Sequence, residues 1–226
     1  MKNVYWEILA LLSLRYLWDD YVPHFIKGEK PDWHNKVDSI GLEVSRAISK
    51  KAGRIEHFNS MYLGKQADQI PIKDQIQFEG LSFVKDGRLI ATADAKGLSD
   101  TRSYFDELIK RYEDKLGKFS NYSNFRTNCF FFFLSFVPND FDLSQILSSM
   151  RTIDHENRES VDLIFILTQM HLYVVDKRMF IKQAILVPPD LMTRMIREAK
   201  LISSDHDDNK VGWSFEEEYL RETIRD

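Results

Sequence analysis

The chain has 226 residues, 43% of them hydrophobic and 13% aromatic, enough to bury a substantial core, whereas 9 glycines and 6 prolines are too few for a fibrous or low-complexity chain. A formal charge of −4 argues against a non-specific nucleic-acid coat, which needs a broad excess of Lys and Arg, but leaves room for a local basic strip on an enzyme. Cys129 is the single cysteine, so an internal disulfide and a thiolate zinc site are excluded; with no cleavable leader and no apolar run near the roughly 20 residues of a membrane helix, the expectation is a soluble, cytoplasmic protein with no membrane partner.

Val4, Ile8, Leu11, Leu12 and the run Leu14 to Tyr16 recur at helical spacing, which predicts a first helix over 4–18, ended by Pro23. Tyr21 to Ile26 reads as a short strand before the turn signal Lys27-Gly28-Glu29-Lys30. Two further strands are expected at Pro31 to Trp33 and Ser39 to Ser45, the second apolar except for Glu43 and therefore central in a sheet. A second helix carries Ile48, Ala52, Ile55, Phe58 and Tyr62 on its inner stripe and Lys50, Lys51 and Arg54 on its wet side, and Gly64 stops it. Asp86-Gly87, flanked by Ile76, Phe78 and Phe83 before and Leu89 and Ile90 after, marks the two-residue turn of an inserted β-hairpin over 75–94.

A third helix is expected from the cap signal Ser99-Asp100 to Lys118. Tyr104, Phe105, Leu108, Ile109, Tyr112 and Leu116 lie on its apolar face, and Lys110, Arg111, Lys115 and Lys118 on a basic one. The unbroken apolar run from Cys129 to Val137 fits a strand covered on both faces. Beyond Pro138-Asn139-Asp140 the pattern predicts a helix over 143–150, then strands over 161–167 and 172–175 joined as a hairpin at the sheet edge. Pro188-Pro189-Asp190 opens a helix over 191–202, followed by a loop over 204–209 and a tail that docks as a helix. The fold class is therefore α/β, a mixed central sheet flanked by helices, read as one domain over 1–226 with its core over 4–137 and an extension over 138–226.

Two acidic residues stand where a negative charge is most costly. Asp32 follows Pro31 at a turn, and Glu43 lies inside the buried strand, so each needs a compensating cation. The six histidines show no metal-binding spacing and read as surface or packing residues. No glycine-rich dinucleotide loop, phosphate loop or serine elbow occurs, which argues against nucleotide hydrolysis and serine hydrolysis.

The core order is helix, strand, strand, strand, helix, strand, with acidic residues on the first helix and at the second and third strands. At Glu7, Pro31-Asp32 and Glu43-Val44-Ser45 the chain resembles the PD-(D/E)XK nuclease superfamily, over roughly residues 4 to 137. The resemblance implies a restriction-endonuclease-like core in which Asp32 and Glu43 hold Mg²⁺ or Mn²⁺, the Val44 carbonyl is a further ligand, and Glu7 joins through water or a second ion. It implies hydrolysis of DNA phosphodiesters by a metal-activated water. The family's usual lysine is replaced by Ser45, which supplies no positive charge, so Arg46 or Lys115 is the candidate to steady the scissile phosphate. The competing expectation is a catalytically silent member of the same fold that binds or regulates a protein partner; a homodimer is compatible with either.

Overall fold

A computed structural model describes residues 3–18, 24–48, 50–62, 64–77, 82–92, 101–118, 125–134, 138–157, 161–177, 181–204, 206 and 210–223. By internal contacts the chain divides into two compact units, one spanning 48–107 and the other made of 2–47 and 108–226.

The larger unit is built on a seven-stranded sheet whose centre is the run of aromatics. β6 (Thr127–Leu134) is flanked by β3 (Ile40–Ala47) and β7 (Leu163–Leu167), both parallel to it. Phe130, Phe131, Phe132 and Phe133 are all buried, because alternate side chains leave opposite faces of the strand and both faces are covered. Each such ring contributes about 1.5–3 kcal/mol by leaving water. β2 (Trp33–Asn35) and β1 (Ile26–Lys27) extend the sheet antiparallel beyond β3, and β8 (His171–Asp176) and β9 (Ile181–Leu186) extend it antiparallel beyond β7.

The face bearing Leu42, Val44, Phe131 and Phe165 is covered by α1 (Asn3–Leu17), α6 (Pro189–Ser204) and α7 (Phe215–Thr223). α1 is buried from Val4 to Leu14 with only Trp6 half-exposed, so it is a core helix rather than an amphipathic one. The opposite face bears Glu43, Phe130, Ile164 and Val175, one cross-strand row. Tyr112 of α4 (Thr101–Leu116) lies edge-on to Phe130 there, with ring centroids 5.6 Å apart. α5 (Asp140–Asn157) buries Leu143, Ile146, Met150 and Ile153, a helical stripe of the same kind.

The smaller unit holds α2 (Lys50–Tyr62), with Ile55, Phe58 and Tyr62 buried as the stripe predicts, then α3 (Ile72–Gln77) and a hairpin of β4 (Ser82–Lys85) and β5 (Arg88–Thr92). Asp86 and Gly87 both have positive φ, 50° and 73°, the conformation a two-residue hairpin turn requires. Gly64, at φ 81°, ends α2.

Several boundaries differ from expectation, each for a local reason. Lys27 is a strand residue paired with Trp33, not the start of a turn, and of the strand expected at 21–26 only Ile26 is in β1, with 21–23 outside the described residues. Pro31 and Asp32 precede β2, because proline has no N–H to give a ladder. Ile76 belongs to α3, so the hairpin is shorter than 75–94. α5 starts at Asp140 because Asn139 caps it: the Asp142 N–H donates to Asn139 Oδ1 (2.8 Å) and the Asn139 N–H donates to Asp142 Oδ2 (3.2 Å). The hairpin of β7 and β8 is not at the sheet edge, since β9, which sequence patterning missed, pairs outside β8. The cap expected at Ser99-Asp100 and the strand end at 135–137 lie outside the described residues. No described helix is long and apolar enough to cross a membrane.

Candidate functional site

The antiparallel register of β2 and β3 pairs Trp33 with Leu42 and stops there. Pro31 diverts the chain before it can pair onward, and its ring sits against Gly41, where an added Cβ would lie 3.0 Å from Pro31 Cγ and 2.7 Å from Phe125. Glycine is the residue that lets the turn close on the strand. The next inward-facing backbone donor on that edge of β3, the Val44 N–H, is therefore met by a side chain: it donates to Asp32 Oδ2 at 2.8 Å. A strand residue's N–H and C=O point to the same side, so the Val44 carbonyl opens toward the same edge as the Asp32 carboxylate.

Around this edge the buried carboxylates are matched by ammonium groups. Lys27, 4% exposed, holds Glu7 Oε2 at 2.6 Å and lies 4.0 Å from Asp32 Oδ1, with its Nζ 5.7 Å from the centroid of the Trp33 ring. Glu43, 5% exposed, is ion-paired through Oε1 with Lys115 of α4. A carboxylate withdrawn from water is tolerated when a cation and hydrogen bonds replace the lost hydration, and both lysines meet that demand. Glu7 and Glu43 thus each have an ammonium partner within the chain, and Asp32 has Lys27 at 4.0 Å.

The structure joins Glu7 to Asp32 through Lys27, and Glu43 to Lys115. The alternation along β3 puts Leu42, Val44 and Arg46 on the face covered by α1, and Glu43 and Ser45 on the face toward α4. Glu7 and Glu43 consequently belong to opposite faces of the sheet, with Asp32 at the edge where β2 and β3 part. Arg46 lays its guanidinium 4.1 Å from the centroid of the Trp6 ring, on the α1 side and away from Glu43, so of the two cations considered as stand-ins for the missing lysine it is Lys115 that stands beside Glu43. Ser45 is half-buried on that same face. Of the basic strip on α4, Lys110 and Lys118 are exposed.

Lys27 was not among the residues singled out from sequence. Its neighbours Lys27-Gly28-Glu29-Lys30 read as a polar turn, and the available signal was weaker: Phe25 and Lys27 are both buried, the period-two alternation of a strand continuing one residue into the turn signal.

Asp32, Glu43 and the Val44 carbonyl are hard oxygen donors of the type Mg²⁺ or Mn²⁺ takes. Among the described residues, however, no group of three or more His, Cys, Asp or Glu side chains is gathered closely enough to hold an ion by itself. Asp32 with the adjacent backbone carbonyl fits one side of such a site, and Glu43 requires exchange of its Lys115 partner before it can serve. Comparison with protein-family models, with curated proteins and with solved structures returns no match to this chain.

Proposed function

We propose that the chain is a divalent-metal-dependent nuclease-like protein that hydrolyses phosphodiester bonds of DNA, with a restriction-endonuclease-like core running from α1 to β6. The supporting observation is the junction where β2 leaves β3: Asp32 caps Val44, Glu43 sits one residue away on the strand, and an ammonium, Lys115, stands beside Glu43 where Ser45 supplies none. With the elements from α2 to β5 set aside as an insertion, the order α1, antiparallel meander β1–β2–β3, α4 and parallel strand β6 supports that reading.

On this reading Mg²⁺ or Mn²⁺, when bound, lowers the pKa of a coordinated water and offsets phosphate charge. Asp32, Glu43 and the Val44 carbonyl would hold it. Lys115, released from Glu43, supplies positive charge to the scissile phosphate from α4. Lys27 orients Glu7 and lies beside Asp32 as a countercharge, and Arg46, tied to Trp6, braces α1 on β3.

The test is cleavage of plasmid and single-stranded DNA with Mg²⁺ or Mn²⁺ by the wild-type chain, Asp32→Asn, Glu43→Gln and Lys115→Met. The expected result is activity in the wild type that each substitution lowers at least about 100-fold, the scale of losing one electrostatic group. Equal activity in all four proteins, or none in the wild type, refutes it. A second reading, a silent member of the same fold that binds a protein partner, is favoured by one observation: Glu7, Asp32 and Glu43 each already have a lysine within 4.0 Å. It predicts no Mn²⁺ binding heat that Glu43→Gln abolishes.

A further inference from the structure

The two edges of the seven-stranded sheet end differently. At the β1 edge the chain closes the sheet on itself: Ile26 bridges Ser214, the Lys27 N–H donates to the Trp213 carbonyl at 2.9 Å, and the Gly212 N–H donates to the Lys27 carbonyl at 2.7 Å. At the other edge β9 pairs, among the described strands, with β8 alone. A strand edge left open presents a row of unpaired N–H and C=O groups, the template on which a further strand adds.

The register fixes which groups these are. The Lys177 N–H donates to the Asp162 carbonyl and the Thr168 N–H to the His171 carbonyl, so the odd-numbered residues of β8 bond to β7, and Leu172, Val174 and Asp176 bond to β9. Their partners are Ile185, Gln183 and Ile181, a series that the Val187 N–H continues by donating to the Met170 carbonyl at 2.8 Å. Lys182, Ala184 and Leu186 therefore aim their N–H and C=O groups out of the sheet, and all three residues are exposed. β9 holds no proline and its pairing with β8 runs without a bulge, two of the devices that ordinarily blunt an edge. Its one charged side chain, Lys182, stands off the sheet with its ammonium 3.7 Å from Asp140 of α5. Apolar surface flanks the open edge: Leu186 is 62% exposed, and Met170, whose carbonyl holds Val187, is 53% exposed.

We propose that the open edge of β9 is an interface for β9 of a second copy of this chain, the two strands pairing antiparallel about a two-fold axis at Ala184. That axis sets Ala184 against Ala184 and Lys182 against Leu186, so every outward N–H of either edge meets an outward C=O of the other. The residue that must meet itself is small and uncharged, which suits a pair whose Cα atoms approach to about 5.5 Å. Each Lys182 faces an apolar side chain, whereas an axis at Lys182 would oppose two like charges. An axis at Ile185 would set Lys182 against Pro188, which has no N–H to give. The edge thus matches its own copy in hydrogen bonding, size and charge. The assembly closes at two chains, because the β1 edge of each is already taken up by residues 212–214. No residue of the β2–β3 junction takes part, so the proposal stands whether or not the nuclease reading does.

Sedimentation equilibrium of the full chain from about 1 to about 300 μM tests it, since one strand pair lies at the small, weakly associating end of interface sizes. The apparent mass is expected to rise from the 26.7 kDa of one chain toward twice that value and no further. Hydrogen exchange at the Lys182, Ala184 and Leu186 amides should slow at least about tenfold at the top of that range, while Gln183 and Ile185, already bonded to β8, change little. Ala184→Pro deletes an outward N–H without touching the ladder to β8 and should leave a monomer at every concentration. Ala184→Lys sets like charges across the axis and should weaken association at least about tenfold, and an equimolar mixture with Ala184→Glu should restore it. Both substitutions fall at an exposed position, so their unfolding temperatures should match the wild type. A wild-type chain monomeric throughout that range, an apparent mass that climbs past the dimer, a dimer undiminished by Ala184→Pro, or a mixture that associates no better than Ala184→Lys alone each overturns the proposal.

Discussion

Lys27→Met provides the sharpest test of how the carboxylate junction is held. The ammonium is 4% exposed, its partner Glu7 is 11% exposed at the side chain, and 2.6 Å separates them. Removing one member of such a pair leaves a buried charge without its countercharge, at a cost of about 3–5 kcal/mol. The Asp32 contact, at 4.0 Å to a carboxylate 18% exposed, adds little to that. For a chain of this length each kcal/mol lowers the unfolding temperature by about 2–4 °C, so the expected fall is roughly 6–20 °C. All four tryptophans, Trp6, Trp18, Trp33 and Trp213, lie in the unit made of 2–47 and 108–226. Tryptophan fluorescence during urea unfolding therefore reads that unit alone, and the midpoint should drop without a change of slope. The companion variant carrying Lys27→Met and Glu7→Leu replaces the ion pair by apolar groups of similar volume and should return to within about 1 kcal/mol of the wild type. If the single substitution costs less than 1 kcal/mol, or the double is less stable than the single, the pair is not what holds Glu7.

Tyr112→Phe removes the hydroxyl shared by Asp154 and Lys177 while leaving their ion pair, and should lower stability by about 1–2 kcal/mol in the same urea assay. Phe131→Ala empties a wholly buried position at the centre of the sheet and should cost about 3–5 kcal/mol, read as a lower unfolding temperature by calorimetry. His206 is 2% exposed and stacked on Trp213 with ring centroids 4.0 Å apart; burial, more than the opposing pull of Glu218, pushes its pKa below the ordinary 6.5. The unfolded chain then takes up the proton first as pH falls. The stability that neutral His206 contributes is thus complete above about pH 6.5 and declines as pH drops below it toward the folded value. His206→Phe should flatten that part of the stability profile between pH 7 and pH 5, and an unchanged slope would exclude His206 as its source.

The reach of sequence reasoning differs from element to element. Phe130 to Phe133 read as a doubly covered strand because the apolar run is short and closed by the turn signal Pro138-Asn139-Asp140, and β6 is that strand at the centre of the sheet. Asp86-Gly87 specifies its turn because the backbone there needs positive φ at both positions. β9 went unread because it is an edge strand: Lys182, Gln183, Ala184 and Leu186 are exposed, so no burial imposes a period on them. His206 was read as part of a polar loop, yet it is enclosed by Trp213, which follows in the chain but is brought over it only by the docking of the C-terminal segment.

Local pattern by itself determined that this is an α/β chain, that the run from Cys129 is a strand covered on both faces, and that Asp32 and Glu43 are carboxylates set where charge is expensive. Those conclusions need only neighbours in sequence: apolar periodicity, turn chemistry and the cost of desolvation. What compensates the charge was decided by tertiary structure. Lys115 stands 72 residues from Glu43 in the chain, Lys27 is 20 from Glu7, and no local pattern encodes which ammonium a folded sheet will bring to which carboxylate. Ion pairs act through distance in space, and that distance is set only when β1 joins β2 at one edge of the sheet and α4 crosses over to β6.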